Sequence, residues 1–252
     1  MDLYGLIGFP LAHSYSRAFF NGKFEKEGLD ARYRNFEMES VEELPDMLAN
    51  QPDLKGLNVT IPHKCTVMPF LDAVSDEARE VGAVNVIRIT RTGGRVFLKG
   101  YNTDVMGFVQ SISPLLKPNH RKALVLGTGG ASRAVCCGLK KLGLQTASVS
   151  RNREKAQFSY QELSADVLRE YHVVVNCTPL GMYPAVNACP DVPYVLLGKE
   201  HLLFDLVYNP EETLFLKRGK FQGAMVKNGL EMLHLQALSA WNIWNNCQEA
   251  NE

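Results

Sequence analysis

The 252-residue sequence balances 27 Lys plus Arg against 27 Asp plus Glu, with 46% hydrophobic and 21% charged residues. This is a globular composition, long enough for one large domain or two modest ones. Zero formal charge gives no global attraction to nucleic acid or an anionic membrane, and no stretch approaches the roughly 20 apolar residues of a membrane helix.

The first residues, MDLYGLIGFP, contain neither a basic region nor a long apolar run, so no signal peptide is expected. DLYGLIGF reads as a short strand. SYSRAFFNGKFEKEG reads as a helix opened by Ser14 or Ser16 and closed before Gly28. ARYRNFEM alternates like a strand, and Ser40–Glu43 forms a capping box before a short helix. LKGLNVTI is the next strand, with Val59 and Ile61 alternating before Pro62. NVIRIT and RVFLKGYN flank a turn at Thr92, Gly93 and Gly94 and predict a hairpin.

Pro114 and Pro118 end a helix, and the polar run to Lys122 marks a connection. ALVLG follows as a buried strand, then a glycine-rich turn and the helix ASRAVCCGLKKLG. TASVSR, HVVVNCT and LLFDLVY are further strands. The alternation predicts βαβ units and a parallel sheet, arranged in two α/β lobes with the first running to about Asn102. LEMLHLQALSAWNIW is a long helix that fits either lobe on pattern alone, with Trp241 and Trp244 as core residues.

Cys65, Cys136, Cys137, Cys177, Cys189 and Cys247 show no C-x-x-C spacing and read as small buried hydrophobes of a reducing compartment. The scattered histidines offer no metal-ligand spacing, so no metal is expected.

LVLGTGGASRA puts Gly127, Gly129 and Gly130 between a strand and a helix. There the backbone can approach a pyrophosphate at a helix N-terminus, although Ser132 stands where a third glycine would complete the fingerprint. The following strand ends in Ser150, Arg151, Asn152 and Arg153. An acid at that position would favour NAD, whereas a guanidinium suits the 2′-phosphate of NADP. Reduction of a carbonyl also needs a proton partner. Lys64 and Asp104 each follow a strand, and on a common sheet they can meet at its edge. A carboxylate favours the charged form of a neighbouring lysine and desolvation favours the neutral amine, so the balance stays open.

Taken together and in order, IGFPLAHSYS, NVTIPHK, GAVN, GYNTD, GTGGASRA, NCTPLGM, DLVYNP and NGLEMLHLQA resemble the shikimate dehydrogenase family from end to end. The resemblance implies two lobes: an α/β substrate domain of residues 1–103 plus 230–252, and a Rossmann-like NADP-binding domain of residues 104–229. The last helix then returns to the first lobe, and substrate lies in a cleft between lobes. It implies NADPH-linked reduction of 3-dehydroshikimate to shikimate, in the cytoplasm, by a monomer or homodimer.

Carried over residue by residue, Ser14 and Ser16 would hold the substrate carboxylate, and Thr60, Asn85 and Gln236 the ring hydroxyls. Lys64 and Asp104 would form the catalytic pair. Tyr208 would line the substrate side. Gly127, Gly129, Gly130, Ala131, Ser150, Arg151, Asn152, Arg153, Thr178 and Gly229 would meet the cofactor. Arg17, Phe20 and Val86 depart from the family's usual proline, histidine and threonine. The alternatives are a quinate/shikimate dehydrogenase, or a dinucleotide-binding regulatory module without catalysis.

Overall fold

A computed structural model describes residues 1–11 and 15–245. Contacts divide the chain into two units, Met1–Thr103 with Ala237–Glu252, and Asp104–Gln236.

The first unit contains, in chain order, strand β1 (Asp2–Gly8), helix α1 (Tyr15–Glu27), β2 (Ala31–Glu37), α2 (Leu44–Ala49), β3 (Leu54–Val59), β4 (Ala73–Val74), α3 (Asp76–Val81), β5 (Val86–Thr92) and β6 (Arg95–Tyr101). Its six-stranded sheet has the order β2-β1-β3-β5-β6-β4. The sheet is mixed: β1 pairs parallel with β2 and β3, and β4 with β6, while β3–β5 and β5–β6 pair antiparallel, the last being the hairpin expected around Thr92, Gly93 and Gly94. A two-residue loop closes the β5–β6 hairpin. Gly93 and Gly94 both take positive φ, the twist that a tight hairpin needs, and no crossover helix intervenes.

Period-two alternation puts Leu3 and Ile7 of β1 in one core, with Leu57, Val59 and Ile87. Tyr4 and Leu6 face the other core, with Phe20, Tyr33 and Trp244. Two sequence expectations shorten or shift. LKGLNVTI stops pairing at Val59, and Ile61 is exposed in the turn that follows rather than alternating into a core. The capping box at Ser40 does form, but it opens a 3-10 turn ahead of α2.

The second unit runs through α4 (Asp104–Ile112), β7 (Lys122–Leu126), α5 (Gly130–Lys141), β8 (Gln145–Val149), α6 (Ala165–Glu170), β9 (Val173–Asn176), β10 (Leu202–Asp205), α7 (Leu214–Phe221), β11 (Met225–Lys227) and into α8 (Leu230–Asn245). Its five strands are all parallel, in the order β11-β10-β9-β7-β8. Both faces are covered. Leu124, Val174 and Leu203 pack on Phe215 and Leu216, while Val125, Val175 and Phe204 pack on Phe108 and Val135. Burial on both faces accounts for the uninterrupted apolar runs in the sequence.

Helix α8 crosses the division between units. Met232 joins a core of the second unit, and Ala237, Ala240 and Trp244 join a core of the first. Of the described cysteines only Cys137 is buried. Cys65, Cys136, Cys177 and Cys189 are half-buried, which corrects the expectation for them, and Cys247 lies outside the described residues.

Candidate active site

In the first unit, one end of the sheet collects the polar residues. Parallel β1 and β3 end there, antiparallel β5 starts there, and β6 ends there, with Asn58 opposite Val86 and Val86 opposite Tyr101. The chain leaves β3 in a tight turn. Thr60 N–H donates to the Ile7 carbonyl at 2.9 Å, and His63 N–H donates back to the Thr60 carbonyl at 2.9 Å. The buried His63 ring meets the Met38 carbonyl at 2.8 Å, anchoring the turn from below. Lys64 is half-buried, and its carbonyl accepts from Val84 N–H at 2.7 Å, next to Asn85.

Asn85 is buried and held on three sides. Its Oδ1 accepts from Thr103 N–H at 2.7 Å, its Nδ2 donates to Thr103 Oγ1 at 3.0 Å, and its carbonyl accepts from Val59 N–H at 2.8 Å. Asn58 Nδ2 reaches the same carbonyl at 3.4 Å, and Asn58 Oδ1 accepts from the Tyr33 hydroxyl at 2.7 Å. Burial raises the proton affinity of the Tyr33 phenol well above its usual range, while a hydrogen bond from Ser16 opposes it. Ser16, Asn85 and the residue before Asp104 therefore belong to one hydrogen-bonded chain. Ser14 lies outside the described residues.

Sequence reading passed over Tyr33, Asn58 and Thr103, which form that chain. The available signal was Asn58, a polar side chain inside the apolar strand LKGLNV, which had to find a partner. The unusual Phe20 and Val86 are fully buried in a core of the first unit, with Phe20 stacked on Tyr33 at 4.8 Å between ring centroids, and Arg17 is exposed.

In the second unit, the loops after β7, β9 and β10 converge at the carboxyl end of the parallel sheet. Strand order reverses between β8-β7 and β9-β10, so the crevice of this fold falls between the ends of β7 and β9. Gly127, with φ 105°, begins the turn after β7, and a Cβ there would lie 3.2 Å from Thr178 Cγ2 in the loop after β9. Gly129 caps α5, and a Cβ on it would meet no protein atom within 4 Å. That open space before a helix N-terminus, with Gly130 and Ala131 as the first helical residues, fits a pyrophosphate. Ser132, in the place of the third glycine, is buried and donates to the Gly129 carbonyl at 2.6 Å, tightening the turn.

The loop after β8 distinguishes its two arginines. Arg153 is engaged by Glu162 at 2.9 Å and donates to the Ala156 carbonyl at 2.6 Å. Asn152 Oδ1 caps the 3-10 turn by accepting from Glu154 N–H, and Ser150 Oγ accepts from Asn152 N–H. Arg151 is exposed.

Tyr208 and Gly229 follow β10 and β11. Burial raises the Tyr208 phenol, and a Cβ on Gly229 would collide with the Leu206 carbonyl oxygen, so only glycine fits that close approach. Asp104 and Gln236 are buried at the two boundaries of the second unit, with Gln236 Nε2 donating to the Leu233 carbonyl at 2.9 Å. Among the described residues no cluster of three or more His, Cys, Asp or Glu could hold a metal, and no helix is long and apolar enough to cross a membrane.

A mixed α/β unit with a polar sheet end, joined to a parallel unit with a phosphate turn, is the architecture of a two-domain dinucleotide-dependent enzyme. Comparison with known proteins makes the class particular. Residues 6–87 match the family model of the shikimate dehydrogenase substrate binding domain. A shikimate dehydrogenase (NADP(+)) from Desulforamulus reducens is 38% identical, over 95% of this chain and 88% of its own. Shikimate 5-dehydrogenase from Thermus thermophilus, solved with NADP(H) and shikimate, is 34% identical with a TM-score of 0.84, covering 97% of this chain and 94% of the other. Quinate dehydrogenase from Corynebacterium glutamicum, solved with NAD, is 29% identical with a TM-score of 0.85, covering 97% and 93%. The chain belongs to the shikimate dehydrogenase family.

Proposed function

We propose that this chain is an oxidoreductase that reversibly reduces 3-dehydroshikimate to shikimate with NADPH, a step toward chorismate and the aromatic amino acids. The observation that carries the reading is the polar end of the first unit's sheet, where Ser16 and Asn85 share one hydrogen-bonded chain through Tyr33 and Asn58, and Thr60 and Lys64 stand in a turn fixed by backbone bonds. Hydroxyl and amide groups that both donate and accept suit a polyhydroxylated ring, and a site built on them rejects analogues lacking a hydroxyl.

In this reading residues 1–103 with 230–252 hold substrate, and residues 104–229 hold the dinucleotide. Ser14 and Ser16 take the carboxylate, Thr60, Asn85 and Gln236 take the ring hydroxyls, and Tyr208 borders the ring. Lys64 and Asp104 exchange the proton with the oxygen that changes between ketone and alcohol. NADPH supplies the hydride. Gly127, Gly129, Gly130 and Ala131 receive its pyrophosphate, Ser150, Arg151, Asn152 and Arg153 surround its 2′-phosphate, and Thr178 and Gly229 border its nicotinamide half. The enzyme works in the cytoplasm as a monomer or homodimer.

NADPH oxidation with 3-dehydroshikimate, and NADP⁺ reduction with shikimate or quinate, test the reading directly. No turnover of 3-dehydroshikimate, shikimate or quinate with either cofactor would leave only the regulatory module. Resemblance to the NAD-bound quinate dehydrogenase keeps quinate and NAD⁺ as the second reading. The loop after β8 discriminates, because Arg153 is already paired within the protein and Arg151 is exposed. Arg151→Ala is expected to weaken NADP⁺ binding about ten- to hundredfold, the scale of charge-assisted hydrogen bonds, with NAD⁺ little changed. Equal kcat/KM for NAD⁺ and NADP⁺ in the unmodified enzyme would transfer the assignment to the quinate type.

A further inference from the structure

Asp205 ends β10 with its carboxylate fully buried. Its Oδ1 accepts from Asn176 Nδ2 at 2.9 Å and from Val207 N–H at 3.0 Å, and its Oδ2 accepts from the Thr213 hydroxyl at 2.5 Å. Each partner belongs to a different piece of the sheet's carboxyl end. Asn176 Oδ1 accepts from both the backbone N–H (3.0 Å) and the hydroxyl (2.7 Å) of Thr178, the residue against which Gly127 of the phosphate turn packs. Val207 opens the loop that carries Tyr208, and its carbonyl accepts from Gly229 N–H at 3.3 Å. Thr213 caps α7 by accepting from Leu216 N–H, and Gly181 of the loop after β9 lies against its side chain.

We infer that Asp205 is a positioning residue for cofactor: its carboxylate locks the loops after β9 and β10, and through Thr178 the phosphate turn, into the arrangement that receives the nicotinamide half of NADPH. The inference rests on the proposed function of the second unit. The cost of burying the Asp205 carboxylate is offset by its three hydrogen bonds. Burial raises its pKa to about 6, opposed by the hydrogen bonds from Thr213, Val207 and Asn176. Titratable groups that feel it include the Cys177 thiol on the loop after β9 and the Tyr194 phenol; burial chiefly raises the proton affinity of both, and the charge of Asp205 adds a smaller push. At neutral pH the group is therefore the anion, and below about 6 it becomes the neutral acid.

Asn at this position reproduces the neutral acid. Its carbonyl keeps Asn176 and Val207, and its amide donates to Thr213 Oγ1. Charged hydrogen bonds are about twice as strong as neutral ones, so Asp205→Asn is expected to lower kcat/KM for NADPH about three- to tenfold at pH 8. Asp205→Ala removes the lock and is expected to cost about ten- to hundredfold, the scale of a displaced reacting group. KM for 3-dehydroshikimate should change less than kcat/KM for NADPH in both, because of the residues proposed for substrate Tyr208 alone stands on a loop that Asp205 holds.

The decisive readout is the ratio of kcat/KM for NADPH between the unmodified enzyme and Asp205→Asn across pH. It should narrow toward one as pH falls through about 6, where the native side chain also becomes neutral. The cofactor's own 2′-phosphate titrates in the same range and is common to both enzymes, so it cancels. A pH-independent ratio, or a loss confined to 3-dehydroshikimate KM, overturns the inference while leaving the proposed function intact. Absence of turnover in the unmodified enzyme would instead remove the reading on which it rests. Should Asp205→Ala fail to fold, the isosteric Asn variant carries the test by itself.

Discussion

Replacing Lys64 by Ala is expected to lower kcat by about 10²–10⁴-fold, the range for a positioned acid or base, with a smaller change in substrate KM. The expectation draws on how the residue is held. The turn after β3 is fixed by backbone bonds at both sides of Lys64, from His63 N–H to Thr60 and from Val84 N–H to the Lys64 carbonyl, and none of these needs the side chain. Truncation therefore removes the amine without releasing Thr60 or Asn85. Asp104→Asn should be similarly impaired. If the two groups act as one proton-handling unit, the double variant should lose less than the product of the single losses. Steady-state kcat for the three variants decides the matter. A near-normal kcat in Lys64→Ala would exclude it from the chemistry and leave Asp104 to be tested alone.

How much of this was legible in the sequence differs between the units for a physical reason. In the second unit strands buried on both faces announce themselves as ALVL, VVVN and LLFD, and Gly127 takes the positive φ that starts the turn after β7. The short β11 and the six-residue α6 carry too few turns or alternations to show a period. In the first unit the β5–β6 hairpin showed in its glycine turn, but the antiparallel pairing of β3 with β5 did not, because a long connection through β4 and α3 leaves direction open. Single side chains such as Lys64 and Asp104 stood out beside family motifs. Tyr33 and Asp205 did not, since a polar group that supports another polar group has no pattern along the chain, and Asn58 showed only as a polar side chain within an apolar strand. Their roles emerge only when hydrogen-bond partners from distant segments are counted.

The structure also gives Trp244 a large stake in the first unit's stability. Its indole is buried against Tyr4 and Phe20 at 5.0 and 5.3 Å between ring centroids, and its Nε1–H donates to the Ile87 carbonyl at 3.1 Å. It lies directly over Gly56 of β3, where any Cβ would collide with the indole ring. Trp244→Ala is expected to cost about 3–5 kcal/mol, read as a lower urea midpoint at unchanged slope. Gly56 supplies a sharper check. Gly56→Ala alone should destabilise, because the added methyl has no room under the ring. In the Trp244→Ala background the same methyl enters the vacated space, so its effect should vanish or reverse sign. Such a reversal is a coupling between residues in contact, which additive losses would exclude. A Trp244→Ala cost below about 1 kcal/mol would mean that the end of α8 contributes little to the first unit, because removing so large a buried side chain from a packed core ordinarily costs several times that.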